Sequence, residues 1–180
     1  NVPHPSVKGI DTVRIDIWSD IVCPFCYVGK RNLEQALAEF EHRDEVEVVW
    51  HSFELDPSAT EYPAGSLPEL IASKYQMPLE QAIASQESLA ARAREVGLDF
   101  KWRQARYGNT FDAHRVIHYA AEQGLASAAE EAFKLAYFTQ GRSVQDHESI
   151  LDIASEIGLD TAEVEAVLKS DRYAADVRAD

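Results

Sequence analysis

The chain holds 180 residues, 46 % of them apolar, with 17 lysines and arginines against 31 aspartates and glutamates, a formal charge of −14. This length fits one large domain, or one domain with a substantial insertion, whose core needs no covalent staples. The acidic balance argues against nucleic acid and against anionic membrane as partners, since both need a basic surface, and no apolar run approaches the ~18–20 residues of a membrane span.

Asn1 to Asp11 (NVPHPSVKGID) has no apolar leader core and reads as a disordered lead. Asn1 in place of methionine implies trimming, and with no signal in view the expected location is cytoplasmic. Val13 to Trp18 (VRIDIW) alternates and is rich in β-branched residues, which predicts a strand. Tyr27 to Phe40 carries Leu33, Ala36, Leu37 and Phe40 at the spacing of an amphipathic helix, and Val46 to Phe53 predicts a second strand. A strand–helix–strand unit of this kind is expected to be parallel with a right-handed crossover.

Asp56 to Gly65, with Pro57 and Pro63, reads as a linker. From Leu67 to Ser170 almost everything reads as helix. Ser66 and Glu69 form a capping-box pattern with Pro68 in the first turn. Further helices are expected from Pro78 to Val96, Asn109 to Gln123, Ala126 to Thr139, His147 to Ile157 and Thr161 to Ser170, four of the stops being Gly97, Gly124, Gly141 and Gly158. Asp171 to Asp180 reads as the opening of one more. The domain reading is therefore 12–56 for a first core segment, 66–170 for an inserted all-helical domain and 171–180 for a returning helix. Two parallel strands make no stable sheet by themselves, so further strands are expected from outside these residues, from more chain or from a second copy in a homodimer.

Cys23 and Cys26 are the only cysteines. A random pair would sit at i, i+3 on the order of 1 % of the time, so the spacing points to chemistry rather than to core packing. The pair lies between strand and helix, where free backbone N–H groups and the helix dipole favour a thiolate. Pro24 in the first turn costs no hydrogen bond. Cys23 is then the expected attacking thiolate and Cys26 the resolving thiol, cycling through a mixed disulfide. One rival is a zinc site: His114 and His118 share a helix face and could join the cysteines in a two-Cys, two-His set.

Ser19 to Gly29 (SDIVCPFCYVG) resembles the active-site stretch of DsbA-like, thioredoxin-fold oxidoreductases, more specifically the FrnE type. Asn109 to Arg115 (NTFDAHR) is similar to that family's N-T-x-x-A-H-R helix start. Ala136-Tyr137-Phe138, Gly141, Ile153-Ala154 and Gly158-Leu159-Asp160 recur in the family's order. The resemblance implies an α/β thioredoxin-like fold with a large helical insertion after the second strand, a cis-proline loop and two strands beyond the last helix, and thiol–disulfide exchange with protein thiols or disulfides. It implies no cofactor, with glutathione as a possible redox partner. The relatives that use glutathione, 2-hydroxychromene-2-carboxylate isomerases and kappa-class transferases, carry serine where this chain has Cys23. They supply the alternative activity.

Supporting candidates have plainer readings beside the functional ones. Asp20 could tune the thiols, although cap and turn statistics favour a capping role. Phe25 could contact substrates or simply pack. His114 could favour a thiolate or be a hydrogen-bonded structural histidine. Asn109 is expected to cap its helix, with Thr110 next, and Arg115 to pair with an acid. Tyr107, Phe111, Tyr119, Phe133, Tyr137 and Phe138 are expected in the helical core.

Overall fold

The computed structural model describes residues 12–60 and 66–180. The lead at 1–11 and the part of the linker with Pro63 and Gly65 lie outside the described residues. Strand β1 (Val13–Ser19) leads through a short loop to helix α1 (Pro24–Glu39), and strand β2 (Val46–Ser52) returns beside β1. The strands pair in parallel from Val13–Val46 to Ser19–Ser52, the pairing expected of a strand–helix–strand unit. Both strand ends differ by one residue from the sequence reading.

Seven helices follow among the described residues: α2 (Leu67–Tyr75), α3 (Leu79–Glu95), α4 (Phe111–Glu122), α5 (Ala126–Phe138), α6 (His147–Glu156), α7 (Thr161–Leu168) and α8 (Ala174–Ala179). The Ser66–Glu69 capping box forms as read. Gly97 ends α3 at φ +80°, and the Leu98 N–H closes back on the Ala93 carbonyl at 2.9 Å. Gly141, at φ +65°, also has no room for a side chain: a Cβ there would stand 3.0 Å from the Gln104 carbonyl oxygen.

The gap read between the helix ending at Val96 and the one beginning at Asn109 is present, and it extends to Thr110. This stretch is loop with one short 3-10 turn at Trp102–Gln104. Its apolar residues serve long-range packing instead of a helix face: Phe100 and Trp102 are buried, and the Lys101 N–H donates to the Phe138 carbonyl at 2.8 Å.

The core lies within the helical part and against the start of α1. Tyr27, Phe100 and Phe138 stack with ring centres 4.4–5.9 Å apart, and Tyr137 meets Phe138 edge-on. Each such ring removes about 150–250 Å² from water, roughly 4–6 kcal/mol of transfer free energy before ordering costs. Of the six aromatics expected in the core, Tyr119, Phe133, Tyr137 and Phe138 are buried, while Tyr107 and Phe111 are half-buried. Glu131 on α5 accepts from the Tyr27 hydroxyl at 2.8 Å, from Lys30 at 2.7 Å and from Arg31 at 2.7 Å, and so pins α1 to α5.

Candidate active site

The loop between β1 and α1 is held by the residues before the cysteines. Ile21 and Val22 are buried, and the Cys23 N–H donates to the Asp20 carbonyl at 3.3 Å. Helix α1 starts at Pro24, three residues earlier than the Tyr27 start read from periodicity, because its first turn has no apolar repeat to read. Cys23 is therefore the N-cap residue in extended conformation, and its Sγ accepts from the Cys26 N–H at 3.4 Å. Both cysteines are half-buried free thiols. Phe25, between them, is 59 % exposed, with the Arg92 guanidinium 5.9 Å from its ring centre.

The hydrogen bond between the two sulfurs separates their acidities. It lowers Cys26 to about 6, and together with burial it raises Cys23. The expectation of a low-pKa thiolate on Cys23 alone is thus corrected: one readily formed thiolate belongs to the pair. The surroundings of the sulfurs differ. At Cys26 the thiolate is favoured from the protein interior, by the Asp20 backbone and the buried Lys134 ammonium. At Cys23 it is favoured by the helix-start N–H groups of Cys26 and Phe25.

Behind the loop Asp20 is buried. Its Oδ1 accepts from the Ile21 N–H at 2.8 Å and from His114 Nε2 at 3.1 Å, and its Oδ2 accepts from the Leu55 N–H at 2.8 Å. Burial pushes this carboxyl up, but the His114 bond and the Leu55 N–H outweigh it, so it stays below its ordinary 3.8. Asp20 is a joint between both strand ends and α4, more than the turn cap expected. His114 is fully buried, and its Nε2 also lies 3.1 Å from the Phe53 carbonyl. Nε2 faces two acceptors, so it carries a proton.

Asn109 bridges rather than caps from the expected position. The helix boundary falls at Thr110, yet Asn109 Oδ1 accepts from the Phe111 N–H at 2.9 Å while Nδ2 donates to the Ala59 carbonyl at 3.2 Å. Arg115 does pair with an acid, Asp112, at 2.8 Å. It also donates to the carbonyls of Val167, Ser170 and Arg172 and closes the end of α7.

The two-Cys, two-His set of the zinc reading is not brought together. His114 Nε2 is taken by Asp20, and His118 Nε2 lies 3.0 Å from Asp180 Oδ2. Among the described residues no three His, Cys, Asp or Glu side chains are placed to hold a metal ion.

Sequence reading missed Glu130 and Lys134. They pair one turn apart on α5 with essentially no exposure, and the Lys134 Nζ stands 5.9 Å from the Trp50 ring centre. The signal was present: both charges fall among Ala129, Phe133 and Tyr137, which the apolar pattern puts inside.

Known proteins are similar to this chain in sequence and fold. A probable DsbA oxidoreductase from Streptomyces coelicolor is 46 % identical, with a TM-score of 0.87, over 93 % of this chain and 72 % of that one. The uncharacterized protein YwbO of Bacillus subtilis is 29 % identical over 163 residues, 90 % of this chain and 74 % of its own length. The cytosolic disulfide reductase DsbM from Pseudomonas aeruginosa shares the fold at a TM-score of 0.60 and 17 % identity, over 93 % and 76 % of the two chains. The DSBA-like thioredoxin domain model matches residues 14–180, nearly everything from β1 onward, and the chain belongs to that family.

Proposed function

We propose that the protein is a thiol–disulfide oxidoreductase working through Cys23 and Cys26, with protein disulfides or thiols as substrates and a small thiol such as glutathione as the resetting partner. The observation that carries this reading is the placement of both thiols at the start of α1, with Cys23 as the N-cap and its Sγ accepting from the Cys26 N–H. Cys23, at the helix cap, attacks one sulfur of a substrate disulfide. That S–S bond breaks, the other substrate sulfur leaves as a thiolate and is protonated, and a mixed disulfide remains. Cys26 then attacks the Cys23 sulfur and releases the second substrate sulfur as a thiol. The substrate has gained two electrons and the enzyme pair is a disulfide; oxidation of a dithiol runs the same steps backwards. The interior charge of Lys134 favours the Cys26 thiolate, which suits the resolving role. The expected cytoplasmic location belongs to this proposal. Among the described residues no helix is long and apolar enough to cross a membrane.

The test is a redox titration. The protein is equilibrated in glutathione buffers, quenched with an alkylating agent and read by mass. We expect a single two-electron transition, loss of exchange in Cys23→Ser and trapped mixed disulfides in Cys26→Ser. Exchange that survives Cys23→Ser overturns the assignment. Stable glutathione adducts on Cys23 alone, with no Cys23–Cys26 disulfide, move the protein to the glutathione-dependent relatives.

A further inference from the structure

The charge of the molecule is uneven. From Arg92 to Arg106 the chain carries five cations (Arg92, Arg94, Lys101, Arg103 and Arg106) against two anions, net +3, while the other 12 cations and 29 anions leave −17 on the rest. All five cations are exposed. They run from the end of α3 through the 3-10 turn, around an open groove of about 510 Å³ whose polar lining is Arg94, Lys101, Arg103 and Gln104 with one acid, Glu87. Two buried aromatics line the same groove. Trp102 carries the Arg103 guanidinium 3.9 Å from its ring centre, and Phe100 stacks on Tyr27, the residue after Cys26. At its other end the ridge reaches the cysteine loop through Arg92 over Phe25.

We propose that this ridge docks an acidic segment of the polypeptide whose disulfide meets Cys23; the proposal rests on the exchange reading above. Charge complementarity selects the partner, because elsewhere the surface repels anions. Two of the ridge cations hold surface pairs: Arg103 meets Glu87 at 3.1 Å and Lys101 meets Asp99 at 3.6 Å, all four exposed. Such pairs hold weakly and yield to an incoming carboxylate. A peptide fits better than a polynucleotide, whose regular phosphates, one every ~3.4 Å along a strand, would overrun the ridge onto acidic surface. The exposed Phe25 then lies where the segment nears the cysteines, as an apolar contact beside the charged one.

Two readouts test this. The first is fluorescence anisotropy of a short glutamate-rich peptide without cysteine. We expect binding at low salt that weakens about tenfold or more in Arg94→Glu/Lys101→Glu/Arg103→Glu and with added salt. A matched lysine-rich peptide should show none, and Lys169→Glu, at the C-cap of α7 and outside the groove, should bind like wild type. The second is exchange with disulfide peptides flanked by acidic or basic residues, with the neutral hydroxyethyl disulfide as reference. We expect acidic flanks to react about fivefold faster or more, a preference lost in the triple variant while the rate on the neutral disulfide holds. Equal binding of both peptides, or a flank preference that survives charge reversal, overturns the proposal. Tighter binding of single-stranded RNA on the same residues overturns it in favour of nucleic acid. A wild type inert toward hydroxyethyl disulfide sinks the exchange reading, and the anisotropy still decides the ridge.

Discussion

Asp20 holds more of the site together than either cysteine. One carboxylate binds the loop N–H of Ile21, the Leu55 N–H beyond β2 and His114 of α4. Asp20→Asn keeps the shape and removes the charge, leaving a buried histidine opposite a neutral amide. We expect a loss of about 1–3 kcal/mol at neutral pH by chemical denaturation. The pH dependence gives the sign. The folded carboxyl lies below its ordinary 3.8, so its contribution is full above that value and is lost as pH falls through the folded one. The gap between wild type and variant should therefore be flat at neutral pH and close in acid; a gap that widens in acid would refute the charged state assigned to Asp20. At this scale the sequence was legible where chemistry is local. Cys23, Pro24 and Cys26 are marked by three-residue spacing, whereas the Asp20–His114 partnership spans 94 residues and no periodicity records it. Asp20 and His114 could be nominated singly but not joined.

Among the elements, α5 carries a liability and α4 a clasp. Lys134 and Glu130 bury two charges that satisfy one another beside Cys26. Lys134→Met strands a buried carboxylate, and we expect a cost of about 3–5 kcal/mol, most of it recovered in Glu130→Leu/Lys134→Met. Denaturant midpoints of the four species form a cycle that checks this, and simple additivity would refute mutual dependence. Arg115 reaches from α4 to three carbonyls at and beyond the end of α7, which a planar fork can do and an ammonium cannot. Arg115→Lys should therefore speed hydrogen exchange at 167–172 while leaving Cys23–Cys26 exchange intact; equal protection in both proteins would show that the fork holds nothing. Helix stops were well read, since a glycine at positive φ is a local demand. The start of α1 and the packing of the stretch 98–110 were not. Cap geometry overrides periodicity at Pro24, and Phe100 and Trp102 answer to distant rings rather than to their own segment.

The whole molecule closes through α8. Asp180 accepts from the Ser52 N–H at 2.8 Å, lies 3.0 Å from His118 and 2.9 Å from His51, and its carbonyl accepts from Trp18 Nε1 at 2.8 Å. His51 bridges on to Asp16 at 2.6 Å and stacks on Trp18. Burial lowers the His51 pKa, but the two carboxylates raise it further, so it ends above 6.5. A raised histidine contributes fully below 6.5 and less as pH climbs through the folded value. We expect the melting temperature of wild type to exceed that of His51→Gln most in mild acid and to converge with it in mild alkali; divergence with rising pH would be the opposite sign. The parallel strand pair and the helical run were legible because each is written in one segment. This closure was not, since its donors come from β1, β2 and α4 and its acceptor from α8.

The bond from Ser52 to Asp180 spans 128 residues, and that distance is also a delay. A ribosome adding about 5–20 residues per second needs roughly 6–26 seconds to cover it. At the start of that interval the strand pair and its two thiols are already made, and His114, Lys134 and α8 follow in turn as it passes. The nascent cysteines therefore begin with their local partners alone, and the interior charge of Lys134 reaches Cys26 only after α5 has followed.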